Sequence, residues 1–302
     1  MNQVRLPILL ASISIVYVLG AYSYSRDWFP INILRAVKQS VTSTNAEPVP
    51  MAEFDEYGRL SHFEGKTETN CPAWTETTAV ILAFGQSNSA NAADTRFDYS
   101  NDHRILNYYR GRCYFAASPL LGATHTGGEF LTTMSNKLLE TNRYSQVIIV
   151  AAGVGSSAIS SWQAGGDLNS LLNGVIKDLR GRYPVTHLVW HQGEIDNHRK
   201  TETWRYVDRF ESMLESIRDL GVDAPVFIAL ASKCGSQPVD ISNPVRIAQA
   251  KLVEKHPDVL LAIDSDLELS VNDRANDNCH LSATGVAKVA TAYAAAILQW
   301  DQ

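Results

Sequence analysis

Residues 77–91 read TTAVILAFGQSNSAN, and this stretch points to the fold. A mostly apolar run of eight residues stops at Gly85 and gives way to polar residues. A short apolar run that ends at a glycine is typical of a strand buried on both of its faces. The pattern therefore predicts a strand of a covered sheet, and it places Ser87 where that strand ends.

Four further runs of this kind follow along the chain: QVIIVAAG, VTHLVWHQ, PVFIALAS and DVLLAID. Apolar residues recur every three or four positions over 168–179, 207–217 and 286–297, which is the spacing of amphipathic helices. Buried strands that alternate with such helices predict a five-stranded parallel sheet in a three-layer α/β/α sandwich. Ligands of open α/β sheets bind beyond the carboxyl ends of the strands. The residues that directly follow each run are therefore the candidates for function.

The N-terminal residues 6–22, LPILLASISIVYVLGAY, carry no charged side chain. The stretch is short for a membrane span and long for the core of a signal peptide, so a cleaved signal and a retained anchor both stay open. Either one exports the remainder to the periplasm or the cell exterior. We expect residues 1–25 to be this segment, 26–76 a linker and lead-in, and 77–302 the main domain, with membrane contact only through residues 6–22.

Charge and cysteine content narrow the class of protein further. The formal net charge of −6 argues against a nucleic-acid partner, which usually requires a basic face. The four cysteines include no Cys-x-x-Cys pair, which argues against zinc, and they fit an oxidising compartment. Three pairings and free thiols remain open. Loops at neighbouring strand ends favour a disulfide between Cys234 and Cys279, with Cys71 and Cys113 as the second pair.

The residues after the strands supply the parts of a serine hydrolase. Ser87 offers a hydroxyl nucleophile, and His280, which precedes the last helix, is the candidate base. Asp277 lies three residues earlier and can hold the other ring nitrogen of His280. Donors for an oxyanion are the backbone N–H groups of Ser87 and Gly155 and the side-chain amide of Gln192. This set needs no metal and no cofactor.

Four segments together resemble the sequence blocks of the SGNH hydrolase superfamily: GQSN at 85–88, GVGSSAISSW at 153–162, WHQGEIDN at 190–197 and DNCHLS at 277–282. The first and third are most similar to the sialate O-acetylesterase and acetylxylan esterase branch. The likeness covers about residues 77–298. It implies a flavodoxin-like SGNH fold and a serine esterase that removes O-acetyl groups from sialic acid or a polysaccharide through an acyl-enzyme.

The resemblance also assigns roles to individual positions. It implies Ser87 as nucleophile, Asp277 and His280 as its partners, and Gly155 and Gln192 in the oxyanion hole. Where this branch often has Gly-Gly-Ser or Gly-Gly-Thr, the chain has Gly155-Ser156-Ser157, so the backbone donor is expected to shift slightly. We expect the substrate to contact four residues of the matched blocks: Gln86, Asn88, His191 and Glu194.

Two other kinds of site compete for these motifs. A metal hydrolase would use HQGEIDNH, with ligands from His191, Glu194, Asp196 and His198, but the helical His-Glu-x-x-His spacing of zinc enzymes is absent. Gly153-x-Gly155-x-x-Ala158 mimics a dinucleotide fingerprint, but no acidic residue ends the strand that follows it.

A third alternative is a catalytically inactive carbohydrate-binding protein. Its sugar-stacking surfaces would come from aromatic side chains, namely Trp162, Trp190, Trp204 and Tyr108. Aromatic residues more often pack the core, and a complete set of catalytic residue types favours the esterase.

Overall fold

The computed structural model describes residues 50–301. The apolar segment at 6–22, and with it the choice between a signal peptide and an anchor, lies outside the described residues. Within residues 50–301, no helix combines the length and the apolar character that a membrane crossing requires.

Strands and helices alternate along most of this range. The strands are β1 (Ala52–Phe54), β2 (Leu60–Phe63), β3 (Glu68–Thr69), β4 (Thr78–Gly85), β5 (Ile105–Tyr109), β6 (Arg112–Phe115), β7 (Gln146–Ala151), β8 (His187–His191), β9 (Val226–Leu230) and β10 (Val259–Asp264). The helices are α1 (Leu131–Glu140), α2 (Ile159–Trp162), α3 (Asp167–Leu179), α4 (Glu194–His198), α5 (Thr203–Arg218), α6 (Pro244–Lys255), α7 (Ser265–Glu268) and α8 (Ala283–Trp300). Two 3₁₀ turns cover Ser87–Ser89 and Val271–Asp273.

The central sheet has eight strands in the order β10-β9-β8-β4-β7-β5-β6-β3. The first six run parallel, and β6 and β3 add an antiparallel edge. Strands β1 and β2 form a separate hairpin. The three-layer α/β/α class is confirmed, and all five predicted strands are present. The sheet is larger than predicted because β5 extends the parallel part and β6 and β3 extend its edge.

Strand β4 lies inside the sheet, and all eight of its residues are buried. Alternate side chains enter two separate cores because successive residues of a strand point to opposite faces. One core, which receives Val80, Leu82 and Phe84, is closed by α3, α5 and α6. The other receives Ala79, Ile81 and Ala83 and is closed by α1 and α8. This double burial explains why the run is continuously apolar.

Two disulfides crosslink the described residues and confirm both predicted pairs. Cys71–Cys113 ties the segment before β4 to β6, and Cys234–Cys279 ties the loop after β9 to the loop before α8. Disulfides of this kind are typical of proteins outside the cytoplasm.

Candidate active site

Ser87 is placed by the close approach of β4 and β8. Gly85 ends β4 with φ +125°, and a Cβ atom there would lie 2.4 Å from the backbone oxygen of His191. Glycine is therefore required for these two strand ends to meet. The N–H of Gln86 donates to the same His191 carbonyl at 3.1 Å. Ser87 then opens a 3₁₀ turn and is 6 % exposed.

The candidate base is His280, which the carboxylate of Asp277 holds. Asp277 Oδ2 lies 2.6 Å from His280 Nδ1, and Oδ1 accepts from the N–H groups of Cys279 and His280 at 2.9 and 3.0 Å. Burial acts to raise the pKa of Asp277, but these three hydrogen bonds outweigh it and hold the pKa below its usual range. An ionised Asp277 accepts a hydrogen bond from the Nδ1–H of His280, and this tautomer leaves Nε2 free to act as a base.

The loop that carries His280 is fastened at the preceding residue, Cys279. Its sulfur is bonded to Cys234. Its carbonyl accepts from Asn88 Nδ2 at 3.2 Å and from Arg274 Nη1 at 3.0 Å. Because Asn88 directly follows Ser87, one of these hydrogen bonds links the base loop to the nucleophile turn.

Ser87 and His280 line one cleft of about 560 Å³. No hydrogen bond joins their side chains among those formed by residues 50–301, and such bonds often tighten only when a substrate is bound. Further polar residues on the cleft walls were not assigned a role in the esterase: Asn197, His198, Lys233, Gln237, Asp240 and Asn243. Of these, His198 belongs to the metal alternative, and Lys233 directly follows the fourth apolar run.

Three of the four predicted substrate contacts lie beside the nucleophile, and each of them forms at least one hydrogen bond with another protein group. Gln86 Oε1 accepts from the backbone N–H groups of Gly193 and Ile195, at 3.4 and 3.2 Å, and so supports the start of α4. Asn88 Nδ2 donates to Glu194 Oε1 at 2.7 Å. Burial raises the pKa of Glu194, which is 4 % exposed, and so favours its neutral form. These residues form part of the support for the cleft.

The structure places His191 and Gln192 in the core, against the sequence expectation. His191 packs beside the rings of Phe130 and Tyr293, and burial together with the charge of Arg274 lowers its pKa to about 3. Gln192 is fully buried. Its amide nitrogen donates to Asp196 Oδ2 at 2.6 Å and to the Ser157 carbonyl at 3.1 Å. Neither side chain is among those that line the cleft.

In the loop after β7, the N–H of the predicted donor is already bound to protein, whereas the next residue lies on the cleft wall. The N–H of Gly155 donates to Thr124 Oγ1 at 2.8 Å, and a Cβ atom on Gly155 would lie 2.5 Å from His125 Nε2. Ser156 lies on the cleft wall with φ +57°, and its N–H has no acceptor within residues 50–301. His125 also approaches the base, since its ring centroid is 6.2 Å from that of His280.

Of the four side chains of the metal alternative, Glu194 and His198 line the cleft, whereas Asp196 and His191 are held in the core. Asp196 accepts from the Ile159 N–H, the Gln192 amide and the Thr201 hydroxyl, and His191 is enclosed by aromatic rings. Within residues 50–301, no three histidine, cysteine or acidic side chains are grouped so that they could hold a metal ion.

The four aromatic residues of the carbohydrate-binding alternative do not form one exposed surface. Three of them are buried in one core: Trp162, Trp190 and Tyr108. Trp204, on α5, is 62 % exposed.

A family model described as carbohydrate esterase, sialic acid-specific acetylesterase matches residues 77–299, more than half of the chain. The chain belongs to this esterase family. That membership confirms the likeness to the sialate O-acetylesterase branch. No curated protein sequence matches this carbohydrate esterase.

Solved structures support the fold of the esterase. A protein from Arabidopsis thaliana is 18 % identical, with a TM-score of 0.59 over 74 % of this chain and 98 % of that chain. The structure named NanS is 14 % identical, with a TM-score of 0.55 over 74 % of this chain and 98 % of that chain. At such identities the likeness concerns the fold of the carbohydrate esterase.

Proposed function

We propose that the protein is a serine esterase that removes O-acetyl groups from a carbohydrate through an acyl-enzyme. The observation that carries the proposal is that His280, bound to Asp277, lines the same cleft as Ser87, which lies at the end of a buried strand. Membership of a carbohydrate esterase family supports an acetylated sugar, on sialic acid or a polysaccharide, as the substrate partner.

The reaction divides into two acyl transfers. Ser87 Oγ attacks the acetyl carbonyl carbon while His280 Nε2 takes the hydroxyl proton. The carbon–oxygen bond to the sugar then breaks, and His280 returns the proton to the departing sugar hydroxyl. A water molecule attacks the acetyl-Ser87 ester with His280 again as base. Acetate leaves, and Ser87 regains its proton.

The oxyanion of each tetrahedral intermediate needs N–H donors, each worth about 3–4 kcal/mol in the transition state. Ser87 supplies its own N–H. The second donor in this proposal is the N–H of Ser156, because the N–H of Gly155 is already bound to Thr124 and the Gln192 amide is bound within the core. None of these steps calls for a metal or a cofactor.

The proposed cellular site is outside the cytoplasm, which the two disulfides support. Residues 1–25 would direct export as a signal or an anchor, residues 26–76 would act as linker and lead-in, and 77–302 would form the esterase domain.

The test is an acetate-release screen over defined O-acetylated glycans, with the full chain and Ser87→Ala as the blank. Ser87→Ala should lower turnover by roughly 10⁴-fold or more and leave the melting temperature nearly unchanged, because triad removals abolish covalent catalysis without unfolding the enzyme. A chelator should have no effect. Activity that survives in Ser87→Ala, or that chelation removes and zinc restores, would refute the proposal.

A further inference from the structure

A second cavity, of about 340 Å³, lies on the other side of α4 from the catalytic cleft. Residues that are close in the sequence line different cavities. Ser156 lines the cleft, and Ala158, two residues later, lines the second cavity. Likewise, His198 lines the cleft and Arg199 lines the second cavity. The second cavity is therefore a direct neighbour of the catalytic cleft.

Basic side chains dominate the wall of this cavity, which we name the basic pocket. Its charged lining consists of Arg199, Lys200, Arg205 and Arg209 together with Asp196 and Glu202. The concentration of positive charge is local, because the whole chain carries a net charge of −6.

The two acidic groups balance only half of that positive charge. Glu202 pairs with Arg205 at 2.8 Å. Asp196 is fully buried, and its two carboxylate oxygens accept three hydrogen bonds from neighbouring segments. Arg199, Lys200 and Arg209 form no ion pair with any residue in the range 50–301. Three cations of the pocket wall thus have no ion-pair partner among the described residues, and the lining as a whole is positively charged.

An exposed aromatic ring stands beside the same pocket. Trp204 is 62 % exposed, and the guanidinium of Arg205 lies 5.0 Å from the centroid of its ring. A tryptophan in this position exposes a flat apolar face next to hydrogen-bond donors. The face of a sugar ring, with its hydroxyl and carboxylate groups at the edge, complements such a surface.

We propose that the basic pocket binds a carboxylate group of an acidic glycan chain whose acetylated sugar occupies the catalytic cleft. The planar, forked guanidinium groups of arginine suit carboxylates, with which they form paired, charge-assisted hydrogen bonds. A glycan chain also accounts for the position of the pocket, because one molecule can cross α4 from the ester to the anion. This inference rests on the proposed esterase function and narrows the substrate to polyuronates and comparable acidic chains.

Binding can be tested without catalysis. The probes are an oligogalacturonide without acetyl groups and a neutral xylo-oligosaccharide of equal length, titrated by calorimetry into the full chain held in a neutral detergent. The oligogalacturonide should bind, its affinity should fall with added salt because salt screens exposed charges, and the neutral oligosaccharide should bind far more weakly. Equal affinity for the two sugars would overturn the proposal.

The variant Arg199→Gln/Lys200→Gln should weaken oligogalacturonide binding by at least about tenfold, because it removes charged donors of hydrogen bonds. The matched control is Lys177→Gln/Lys251→Gln, which removes the same charge from α3 and α6 outside the pocket and should bind like wild type. Circular dichroism checks that both fold, and Arg209→Gln provides a second variant with the same expected direction. Unchanged binding in both pocket variants would overturn the proposal.

Steady-state kinetics test whether the basic pocket contributes to binding of the acetylated substrate. On an acetylated oligogalacturonide, Arg199→Gln/Lys200→Gln should raise KM and leave kcat unchanged, and on p-nitrophenyl acetate it should match wild type. Absence of acetate release by the wild type would refute the esterase proposal, whereas calorimetry still decides whether the pocket binds the acidic chain. Binding to phosphatidylglycerol vesicles that the pocket variant loses, with no binding of oligogalacturonide, would assign the pocket to a lipid surface and overturn the inference.

Discussion

The strand end that carries Ser87 and the loop that carries His280 are held in place by different means. Ser87 follows a completely buried strand, and Gly85 is pressed against the backbone of β8. His280 lies in an irregular loop whose Asp277 side chain is 48 % exposed, and the loop is fastened mainly through Cys279. The nucleophile is therefore placed by the sheet itself, and the base by a few individual bonds. Changes in the second region should lower the rate without unfolding the protein.

The largest effect is expected from Asp277→Asn, which removes the group that orients the base. The amide oxygen of asparagine would stay with the N–H groups of Cys279 and His280, so its NH2 group would face Nδ1 and donate to it. The wrong ring tautomer should therefore lower kcat by roughly 10⁴-fold. The melting temperature should change little because this side chain is half exposed. Asp240→Asn, an acidic residue on the cleft wall, is the control and should keep most of the turnover. Wild-type turnover in Asp277→Asn would show that another group orients His280.

The two disulfides offer a matched pair of variants for the same comparison. They span 42 and 45 residues, so removal of either should cost a similar stability, about 2–4 kcal/mol. Cys234→Ser/Cys279→Ser should in addition lower turnover about a hundredfold, because a drift of the base by about 1 Å has that effect. Cys71→Ser/Cys113→Ser should keep turnover near wild type. Turnover losses of equal size in the two variants would refute a special role for the Cys234–Cys279 bond.

Gln192→Ala separates a packing role from an oxyanion role. The Gln192 side chain binds Asp196, Ser157 and Tyr206, and its removal leaves buried polar groups without partners. The free energy of unfolding should fall by about 1–3 kcal/mol. Turnover, measured well below the melting temperature, should fall much less than the roughly 10²–10³-fold that loss of an oxyanion donor costs. A fall of that size with unchanged stability would restore the oxyanion assignment.

Glu194→Gln should produce the smallest effect, visible as a change in how stability depends on pH. Burial raises the pKa of folded Glu194, so the folded state binds its proton more tightly than the unfolded state does. Wild type therefore loses stability as the pH rises from the unfolded value of about 4.3 through the raised pKa of the folded state. Glutamine cannot ionise, so the variant does not lose stability in this way as the pH rises.

The measurement is the melting temperature of both proteins as a function of pH. The variant minus wild-type difference should increase through that pH window and then level off. Glu129, a second buried carboxyl with a raised pKa, is present in both proteins and cancels in the difference. A difference that grows as the pH falls would contradict a raised pKa of Glu194 in the folded state.

Sequence patterns could predict the centre of the fold because buried parallel strands leave continuous apolar runs. They could not predict β5, in which the fully buried Asn107 interrupts the run and hydrogen-bonds with the backbone of Leu121. Helix α6 was also missed, since polar side chains such as Arg246 and Gln249 are buried on it and weaken its amphipathic pattern. In both elements a buried polar group has a partner that only the tertiary structure supplies.

In the candidate site, too, the sequence could predict some features and not others. Topology alone brings residues that follow parallel strands to one edge, which placed Ser87 and His280 at a common cleft. Side-chain direction is not determined by topology. Gln192 follows β8 as the pattern required, yet its amide turns inward because Asp196 and Tyr206 offer closer partners than the cleft does. The basic pocket was also not predicted. Its four cations lie within residues 199–209, but the sequence does not show that their side chains line one concave surface.

The segment Trp190–Glu194 is the most recognisable motif of the chain, and its burial limits what a match to this motif shows about activity. Each of its four side chains is at most 4 % exposed, and none is assigned a bond-breaking step. The motif is a signature of architecture. A chain that lost its serine or its histidine would still need these residues to close its core, and it would still match the family. The motif therefore identifies members of the family, whereas activity must be judged from Ser87, Asp277 and His280.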